Sequence, residues 1–476
     1  MKLHLLNIPL FAAVFLCIAG QPLAAQPAPQ LVPEGREAIG YGLLPFASIA
    51  DAQAGDIAKS PYIQPLGGAW KVKSVAGRND ITAAMASDQG WSEVQLPQKN
   101  AATGNIVLLR REFKRPFAWD DRQIFIRLQG VGAPYELFVN AKICGSNPSP
   151  RVGADFDVTN ATVEGYNTLT LVLCNDFPPA FNLAARPQAI VEGDIYAFSQ
   201  PKMRVRDIDA GATVSDGNGL LNLGVIVKSH LLNPREVEIF YELDDPQGKA
   251  VASSHRPVTL SMRQEDTVRF FANIPNVKPW SAETPTLYTL QIKTQYEGRY
   301  GEYVAVKIGF RDVKVEKGKF FVNGVETPLT AAVVAPVNDL AAAEAKLREV
   351  KKQGANIVRL SGGPASADFY ALCDRIGIYV CAQAALNAAA EGKLNSANNP
   401  ALEELFRDRV TAMYNASKNH PSVVMFSLAE GAANGFNLYQ AYLDLRKIER
   451  TRPISFTGAG NEWNSDTSPD GSFRSE

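Results

Sequence analysis

Short segments in which apolar and polar residues alternate fill most of the chain between residues 61 and 309. Segments such as 123–128, 135–140 and 168–173 mix β-branched and aromatic residues with polar ones and end in turn-forming residues, which is typical of β-strands. Up to residue 200, no helical period of three turns interrupts them. The pattern predicts two all-β domains, a jelly-roll sandwich over 61–200 and an immunoglobulin-like sandwich over 201–309.

The pattern changes after residue 310, where strand-like runs begin to alternate with helical ones. The alternation predicts parallel βα units, four strand–helix pairs and a fifth strand, so this part of the chain is α/β. We predict strands and helices, in chain order, at 330–334, 339–353 (helix), 356–360, 367–376 (helix), 378–381, 402–417 (helix), 423–428, 438–449 (helix) and 453–457.

The first 60 residues differ in character from the rest. Lys2, an apolar run over 10–19 and the small residues Ala24 and Ala25 predict a secretory signal peptide over 1–25, and hence a secreted, periplasmic or cell-surface protein. Cys17 leaves lipid attachment as a minor alternative. No later apolar run is long enough to span a membrane. Residues 26–60, rich in Ala, Pro and Gln, are interpreted as a linker or a loosely packed arm.

Composition narrows the class of protein further. The chain has 48 basic and 49 acidic residues and a net charge of −1. Proteins that bind nucleic acid usually carry a basic patch, so this charge balance argues against binding of DNA or RNA. Four histidines without Cys/His spacing predict neither a metal site nor a cofactor. Cys144 and Cys174 both lie at the ends of strand-like runs, so a disulfide and two free thiols remain open alternatives.

Motifs along nearly the whole chain resemble those of glycoside hydrolase family 2, which contains β-galactosidases, β-glucuronidases and β-mannosidases. The segment 274–288 (IPNVKPWSAETPTLY) resembles the segment that closes the family's second domain. Two barrel signatures are present in spacing, over 356–381 and over 418–428 (KNHPSVVMFSL). The resemblance implies that residues 310–476 form a TIM-barrel-like domain, and that this domain is incomplete.

The family's acid/base position is altered in this chain. The resemblance implies an Asn-Glu pair shortly after Ser427-Leu428, but Glu430 takes the Asn place and Gly431 takes the Glu place. Because successive strand residues point to opposite faces, this slip redirects the carboxylate unless a local bulge restores its direction. Glu430 is therefore the one tentative acid/base residue.

Other positions that contact sugar in the family are also changed. Gly362 and Gly363 stand where the resemblance implies His-Tyr, and Ala382 and Gln383 stand where it implies Asp-Glu. A site that stabilises an oxocarbenium-like state needs oriented dipoles and charges, which most of these residues lack. Two further altered runs are 181–186 and 330–335.

The nucleophile presents a second difficulty. In the family it lies near the end of strand seven, whereas only five barrel strands are predicted here, so we expect no nucleophile in this chain. Asp466 and Asp470 are the alternative sources. An open sheet edge is a pairing hazard, so we expect the tail, a protein partner or a second copy of the chain to cover it.

These observations support a leading hypothesis and two alternatives. The leading hypothesis is a secreted, catalytically inactive relative of family 2, a pseudoenzyme that binds a glycan or a protein partner. The first alternative is an active retaining exo-β-glycosidase, β-galactosidase-like, that uses Glu430 as acid/base. The second is a truncated remnant of a longer reading frame.

Overall fold

The computed structural model describes residues 34–39, 43–175, 183, 187–386 and 393–475. The signal peptide predicted for 1–25 lies outside the described residues, as do the first part of the predicted linker and most of the run 181–186. Among the described helices, none has the length and apolar character needed to cross a membrane.

Two antiparallel sheets share one core and form the first sandwich. Its elements are β1 (Arg36–Ala38), α1 (Ile49–Ala54), β2 (Ile63–Pro65), β3 (Gly68–Val75), α2 (Ile81–Ala86), β4 (Ser92–Leu96), β5 (Ile106–Arg115), β6 (Gln123–Leu128), β7 (Tyr135–Val139), β8 (Lys142–Asn147), β9 (Ala154–Asp157), β10 (Gly165–Cys174) and β11 (Ile195–Gln200). The strand orders are β1-β9-β6-β11-β2 and β4-β3-β5-β10-β7-β8. Trp70 and Phe113 from one sheet meet Ile126 and Phe156 from the other in the buried core.

A second pair of antiparallel sheets follows and forms the second sandwich. Its strands are β12 (Met203–Ser215), β13 (Asn218–Ser229), β14 (Arg235–Asp244), β15 (Ala250–Leu260), β16 (Glu265–Ile274), β17 (Tyr288–Tyr296) and β18 (Arg299–Ile308). The strand orders are β12-β13-β16 and β15-β14-β17-β18. In β14 the alternate residues Val237, Ile239, Tyr241 and Leu243 are buried, which is the inward half of the alternation in the sequence.

A small three-stranded antiparallel sheet leads into a five-stranded parallel sheet. Its elements are β19 (Val313–Glu316), β20 (Lys319–Val322), β21 (Val325–Glu326), β22 (Ala331–Val334), α3 (Leu340–Lys352), β23 (Ile357–Leu360), α4 (Ala367–Ile376), β24 (Tyr379–Gln383), α5 (Glu403–Ser417), β25 (Val423–Ser427), α6 (Phe436–Ile448) and β26 (Ile454–Ser455). Strands β22 to β26 pair in chain order, all parallel. The predicted alternation of strands and helices is confirmed.

Capping residues explain why these helices begin and end where the sequence predicts. The Asp339 side chain accepts hydrogen bonds from the backbone N–H groups of Ala341 and Ala342 at the start of α3. Ser366 caps α4 in the same way, and Gly377, at φ 73°, ends it in the left-handed conformation that glycine favours.

The prediction that residues 26–60 form a linker is wrong for the part that the structure describes. Strand β1 pairs with β9 inside the first sandwich, and the Glu37 carboxylate contacts Arg204 and Lys228 of the second. Leu43 and Phe46 are buried. The apolar anchors of this segment follow no helical or strand period, so the sequence pattern does not reveal them.

A disulfide between Cys144 and Cys174 is not formed. Cys174 is buried and accepts a hydrogen bond from the Arg78 guanidinium at 3.3 Å, and Cys144 is half-buried. Both residues lie in one sheet, on β8 and β10, with strand β7 between them. The alternative without a disulfide is therefore the correct one, and one of the two thiols is buried.

The tail of the chain covers the edge of β26. The backbone N–H and C=O groups of Ile454 bond to Asp466, through its carboxylate (2.6 Å) and its backbone N–H (2.8 Å). The Phe456 N–H donates to the Ser465 hydroxyl at 3.0 Å. The Phe473 ring stacks on Phe320 with centroids 5.4 Å apart. At this edge, residues of the tail therefore occupy backbone hydrogen-bonding groups of β26, as one of the expected alternatives has it.

Candidate functional site

The carboxyl ends of the five parallel strands meet on one side of the molecule. One face of the sheet, including Val358 and Val380, packs in a core with helices α3 to α6. The other face, including Ile357 and Tyr379, contacts Trp280 from the second sandwich. In parallel βα folds, side chains and loops at the carboxyl ends form the binding site, and we call this region the strand-end cleft.

Glu430 and Gln383 are brought together in the strand-end cleft. The Gln383 side-chain N–H donates to the Glu430 carboxylate at 3.4 Å, near the long limit for a hydrogen bond. Gln383 is only 2% exposed, whereas Glu430 is exposed. The Glu430 backbone N–H donates to the Leu386 carbonyl at 3.1 Å, which fixes the loop after β25 against the loop after β24.

The direction of the Glu430 side chain is set within this loop. The register between β24 and β25 shifts between Val380 and Cys381, before the loop, and Gln383 then pairs with Ser427. This irregularity lies at the start of β25, several residues before Glu430, and the Glu430 carboxylate contacts Gln383 at the carboxyl ends of the strands.

Gly431 adopts a backbone conformation that glycine favours. Its φ is 63°, and a Cβ added there would meet no atom within 4 Å. A glutamate at this position would therefore have space for its side chain, but its backbone would be strained by about 1–2 kcal/mol. The position that the family resemblance assigns to the acid/base residue is thus open in space.

Gly362 and Gly363 line a cavity of about 390 Å³ between the parallel sheet and the first sandwich. A Cβ on Gly362 would enter open space, whereas one on Gly363 would lie 3.1 Å from the Cβ of Ala385. Gly363 has a φ of 126°, which other residues rarely adopt. These two glycines leave open the space that larger side chains would fill.

The cavity wall is mostly small and neutral, and its cations are paired. Arg36 contacts Asp408, and Arg151 forms an ion pair with Glu192 at 2.9 Å. The remaining lining residues are small, apolar or uncharged polar, as in Gln129, Asn338, Ser361, Ser366 and several alanines and glycines. Hydroxyl and amide groups on a neutral wall suit a ligand with many hydroxyl groups better than an anion.

The pair Ala382 and Gln383 divides between the two faces of the sheet. Ala382 is fully buried in the core shared with the helices, whereas Gln383 contacts Glu430. Only Gln383 of this pair is therefore available to the strand-end cleft.

Asp466 and Asp470 have other partners than the cleft. Asp466 accepts from the Tyr442 hydroxyl at 2.7 Å, contacts Arg446 and covers the edge of β26. Asp470 is exposed and accepts from the backbone N–H (3.0 Å) and hydroxyl (2.7 Å) of Ser472. The contacts of Asp466 and Asp470 therefore do not place either carboxylate beside Glu430.

His420 lies before β25, at the opposite end of the sheet from the strand-end cleft. Its Nδ1 is 2.6 Å from the Asp374 carboxylate, and both side chains are 2% exposed. The Trp280 indole N–H donates to the Asp374 carbonyl at 2.9 Å, and the Ser422 N–H donates to its carboxylate at 2.9 Å. This arrangement joins the second sandwich to the sheet.

Arg409 is a buried residue of the site that the sequence analysis missed. Its guanidinium donates to the Ala385 carbonyl at 2.7 Å, just after β24. Burial lowers its pKa to about 10. The sequence does contain a signal for its burial. Arg409 lies four positions from Leu405 and four from Met413, so the three side chains share one face of α5, and that face is buried.

Within the described ranges, no group of three His, Cys, Asp or Glu side chains is arranged to hold a metal ion.

The chain matches two models of one enzyme family. Residues 306–470 match the model for the TIM barrel domain of family 2 glycosyl hydrolases, and residues 203–311 match the model of glycosyl hydrolases family 2. Relatives include beta-galactosidases from Priestia megaterium, 24% identical over 87% of this chain and 46% of the relative, and from Aeromonas hydrophila, 28% identical over 74% and 36%. The chain spans less than half the length of these relatives.

Solved structures share the fold of this chain. A putative beta-galactosidase from Bacteroides fragilis has a TM-score of 0.75 at 17% identity, covering 85% of this chain and 66% of that one. A Bacteroides uniformis beta-glucuronidase has a TM-score of 0.73 at 16% identity, covering 83% and 52%. With the family models matching residues 203–470 in adjoining segments, this chain belongs to glycoside hydrolase family 2, and its parallel sheet is part of a TIM-barrel domain.

Proposed function

We propose that this chain binds a neutral glycan in the strand-end cleft and does not hydrolyse it. The observation that carries this proposal is the pairing of the Glu430 carboxylate with the Gln383 amide, beside Gly431. Retaining hydrolysis needs two carboxylates about 5–5.5 Å apart, one as acid/base and one as nucleophile. An amide cannot take either role.

Two observations support a glycan as the ligand. The cavity of about 390 Å³ next to Gly362 and Gly363 lies within the size range of small-molecule sites, and its wall is neutral and rich in small residues. The beta-galactosidases among its relatives make a β-galactoside the first sugar class to test.

We further propose a finer architecture and an extracellular or periplasmic location. Two sheets with eleven strands in total support a jelly-roll domain over 61–200, to which the segment before residue 61 adds strand β1. Two sheets of three and four strands support an immunoglobulin-like domain over 201–309. The TIM-barrel domain then occupies 310–476. The signal sequence over 1–25 supports export.

The test combines hydrolysis with binding. We expect no release of 4-nitrophenol from 4-nitrophenyl β-galactoside by the purified chain, whereas calorimetry detects binding of galactose or of a β-galactoside oligosaccharide. The variant Ala335→Leu adds bulk to the cavity wall and is expected to weaken binding, and Glu404→Gln, on the exposed surface of α5, is the control. Absence of binding across a panel of neutral sugars contradicts the proposal.

The alternative function is an active retaining exo-β-glycosidase with Glu430 as acid/base. The observation in its favour is that the Glu430 carboxylate is exposed and reaches the strand-end cleft. Cleavage of the aryl galactoside that is lost in Glu430→Gln and kept in Glu404→Gln establishes this alternative and refutes an inactive protein.

Binding of a protein partner is a second candidate function. Strand β22 lies at the end of the parallel sheet, and its Val333 is 65% exposed. A strand edge with an exposed apolar side chain favours pairing with another chain. Val333→Lys is expected to abolish such pairing, which light scattering of the purified protein measures.

A further inference from the structure

Three aromatic side chains form an exposed surface on α6 and the tail. Trp463 is 52% exposed and Phe436 is 49% exposed, and Tyr439 is half-buried between the helix and the tail. We call these three residues the aromatic surface. Trp463 is exceptional in the chain, because Trp70, Trp119 and Trp280 are at most 1% exposed and Trp91 is half-buried.

The indole of Trp463 is held in place by two tyrosine rings. Its centroid lies 5.3 Å from that of Tyr439, with planes tilted by 34°, and 5.8 Å from that of Tyr442, in an edge-on arrangement. The Tyr442 hydroxyl donates to Asp466 at 2.7 Å, so the supporting ring is itself fixed. The indole thus presents exposed area in a defined orientation.

The loop that carries Trp463 is also fixed. The Arg474 guanidinium donates to the carbonyls of Glu462 (2.5 Å) and Gly460 (2.7 Å). Asn464 and Asn434 exchange two side-chain hydrogen bonds of 2.9 and 3.1 Å. A surface ordered before binding loses little entropy when a ligand arrives.

The aromatic surface is continuous with the strand-end cleft. Residues 431–434 lead directly from Glu430 to α6, and Asn434 contacts the Tyr439 hydroxyl at 3.3 Å. The polar groups around the rings are the amides of Asn434 and Asn464, the ion pair of Arg446 and Asp466 beside Tyr442, and the exposed carboxylate of Glu462. A ligand that starts in the cleft and extends along this loop therefore meets aromatic rings next.

We infer that the aromatic surface is a sugar-stacking subsite, occupied by a neutral pyranose ring of a glycan whose end lies in the strand-end cleft. A pyranose ring has an apolar face of C–H groups that packs on an indole, and hydroxyl groups that bond to amides at the ring's edge. Exposed tryptophan and tyrosine suit such a ligand, because their rings pack on its apolar face while its hydroxyl groups stay in contact with water. This inference rests on the glycan binding proposed above.

The test uses β-(1→4)-galactotetraose and the fluorescence of the intact chain. Because Trp463 is the most exposed tryptophan, we expect the sugar to shift the emission to shorter wavelength and to reduce quenching by acrylamide. Trp463→Ala is expected to weaken binding about five- to tenfold, in line with the energy of an aromatic contact. Trp463→Phe retains a ring and is expected to keep most of the affinity, while Trp91→Phe, in the first sandwich, is the matched control.

The outcomes separate this inference from the proposed function. Equal affinities for the wild type and Trp463→Ala, with binding intact, overturn the subsite and leave the cleft as the binding site. No binding of the tetrasaccharide by the wild type, together with no binding of other neutral glycans, overturns both. A change from dimer to monomer in Trp463→Ala, with sugar affinity unchanged, identifies the aromatic surface as a contact between copies and overturns the subsite.

Discussion

The two ends of the parallel sheet differ in how many hydrogen bonds their charged side chains form. At the amino end, Asp374 bonds to His420 and to the Ser422 N–H, and the Arg311 guanidinium donates to the carbonyls of Pro421 (2.5 Å) and Val423 (2.6 Å). At the carboxyl end, glycines line a cavity and the Glu430 carboxylate makes a single long hydrogen bond. The hydrogen bonds of charged side chains are therefore more numerous at the amino end of the sheet, whereas the binding sites of parallel βα folds lie at the carboxyl end.

This contrast separates stability from function in the chain. Buried charges must be paired and hydrogen-bonded, so the amino end tolerates few substitutions. The carboxyl end has open space and exposed groups, so its side chains can change without loss of the fold. A chain can therefore retain the family's scaffold while losing groups that catalysis requires.

The largest effect is expected from Asp374→Ala. The substitution leaves the buried His420 side chain and the Ser422 N–H without this partner, which is expected to cost about 3–5 kcal/mol of unfolding free energy. Urea unfolding at neutral pH measures the loss. Asp374→Asn keeps an acceptor for Ser422 but removes the charge, and it is expected to lose less than Asp374→Ala; equal losses in the two variants show that the retained acceptor contributes nothing and contradict the hydrogen bond to Ser422 as a separate contribution.

The next effect is the dependence of stability on pH through Glu37. Burial by itself raises the pKa of Glu37, but the Arg204 guanidinium and the Lys228 ammonium outweigh it and lower the pKa from 4.5 to about 2. A carboxylate with a lowered folded pKa stabilises the fold above pH 4.5 and loses that contribution as pH falls towards 2. We expect Glu37→Gln to reduce the loss of stability between pH 5 and pH 3, in urea unfolding at both values.

The contribution of Glu37 to this loss is at most about 3 kcal/mol. Glu164→Gln, the same substitution at an exposed position of the first sandwich, is the control and is expected to leave the pH profile close to that of the wild type. An unchanged profile in Glu37→Gln shows that the contact between the two sandwiches does not govern acid stability.

A smaller effect is expected from Gly431→Glu at the carboxyl end. The new side chain enters open space, so only the left-handed backbone at φ 63° opposes it, at about 1–2 kcal/mol. Thermal unfolding measures the change. A loss as large as that of Asp374→Ala shows that the cleft is not permissive, and it removes the distinction between the two ends of the sheet.

The smallest effect is expected from Glu430→Gln. Its carboxylate is exposed and makes one hydrogen bond of 3.4 Å, so we expect a change within about 0.5 kcal/mol. Gln383→Ala, at a buried position, is the comparison variant and is expected to lose about 1 kcal/mol more. A strongly destabilised Glu430→Gln indicates that the carboxylate holds the loop in place.

Local signals predict most of the fold. Helix α4 lies over the predicted residues because Ser366 and Gly377 mark its two ends, and β25 lies over an apolar run. Strand β26 is shorter than predicted, Ile454–Ser455, since the tail takes over the hydrogen bonds of the neighbouring residues. The arm around Glu37 was missed because long-range ion pairs leave no period in the sequence.

The candidate site was predictable only in part. Gly362, Gly363 and Gln383 were found through the resemblance to the family, and the structure places the two glycines at a cavity and Gln383 beside Glu430. The interaction between Gln383 and Glu430 depends on how two loops pack, which no local pattern encodes. The surface around Trp463 depends in the same way on the tail packing against α6.

We propose that the strand-end cleft binds a glycan without cleaving it. The most direct measurement is to incubate β-(1→4)-galactotetraose with the full chain, follow binding by tryptophan fluorescence and identify the sugars afterwards by mass spectrometry. We predict saturable binding and a tetrasaccharide that remains intact. Shorter oligosaccharides produced by the wild type, but not by Glu430→Gln, contradict the claim.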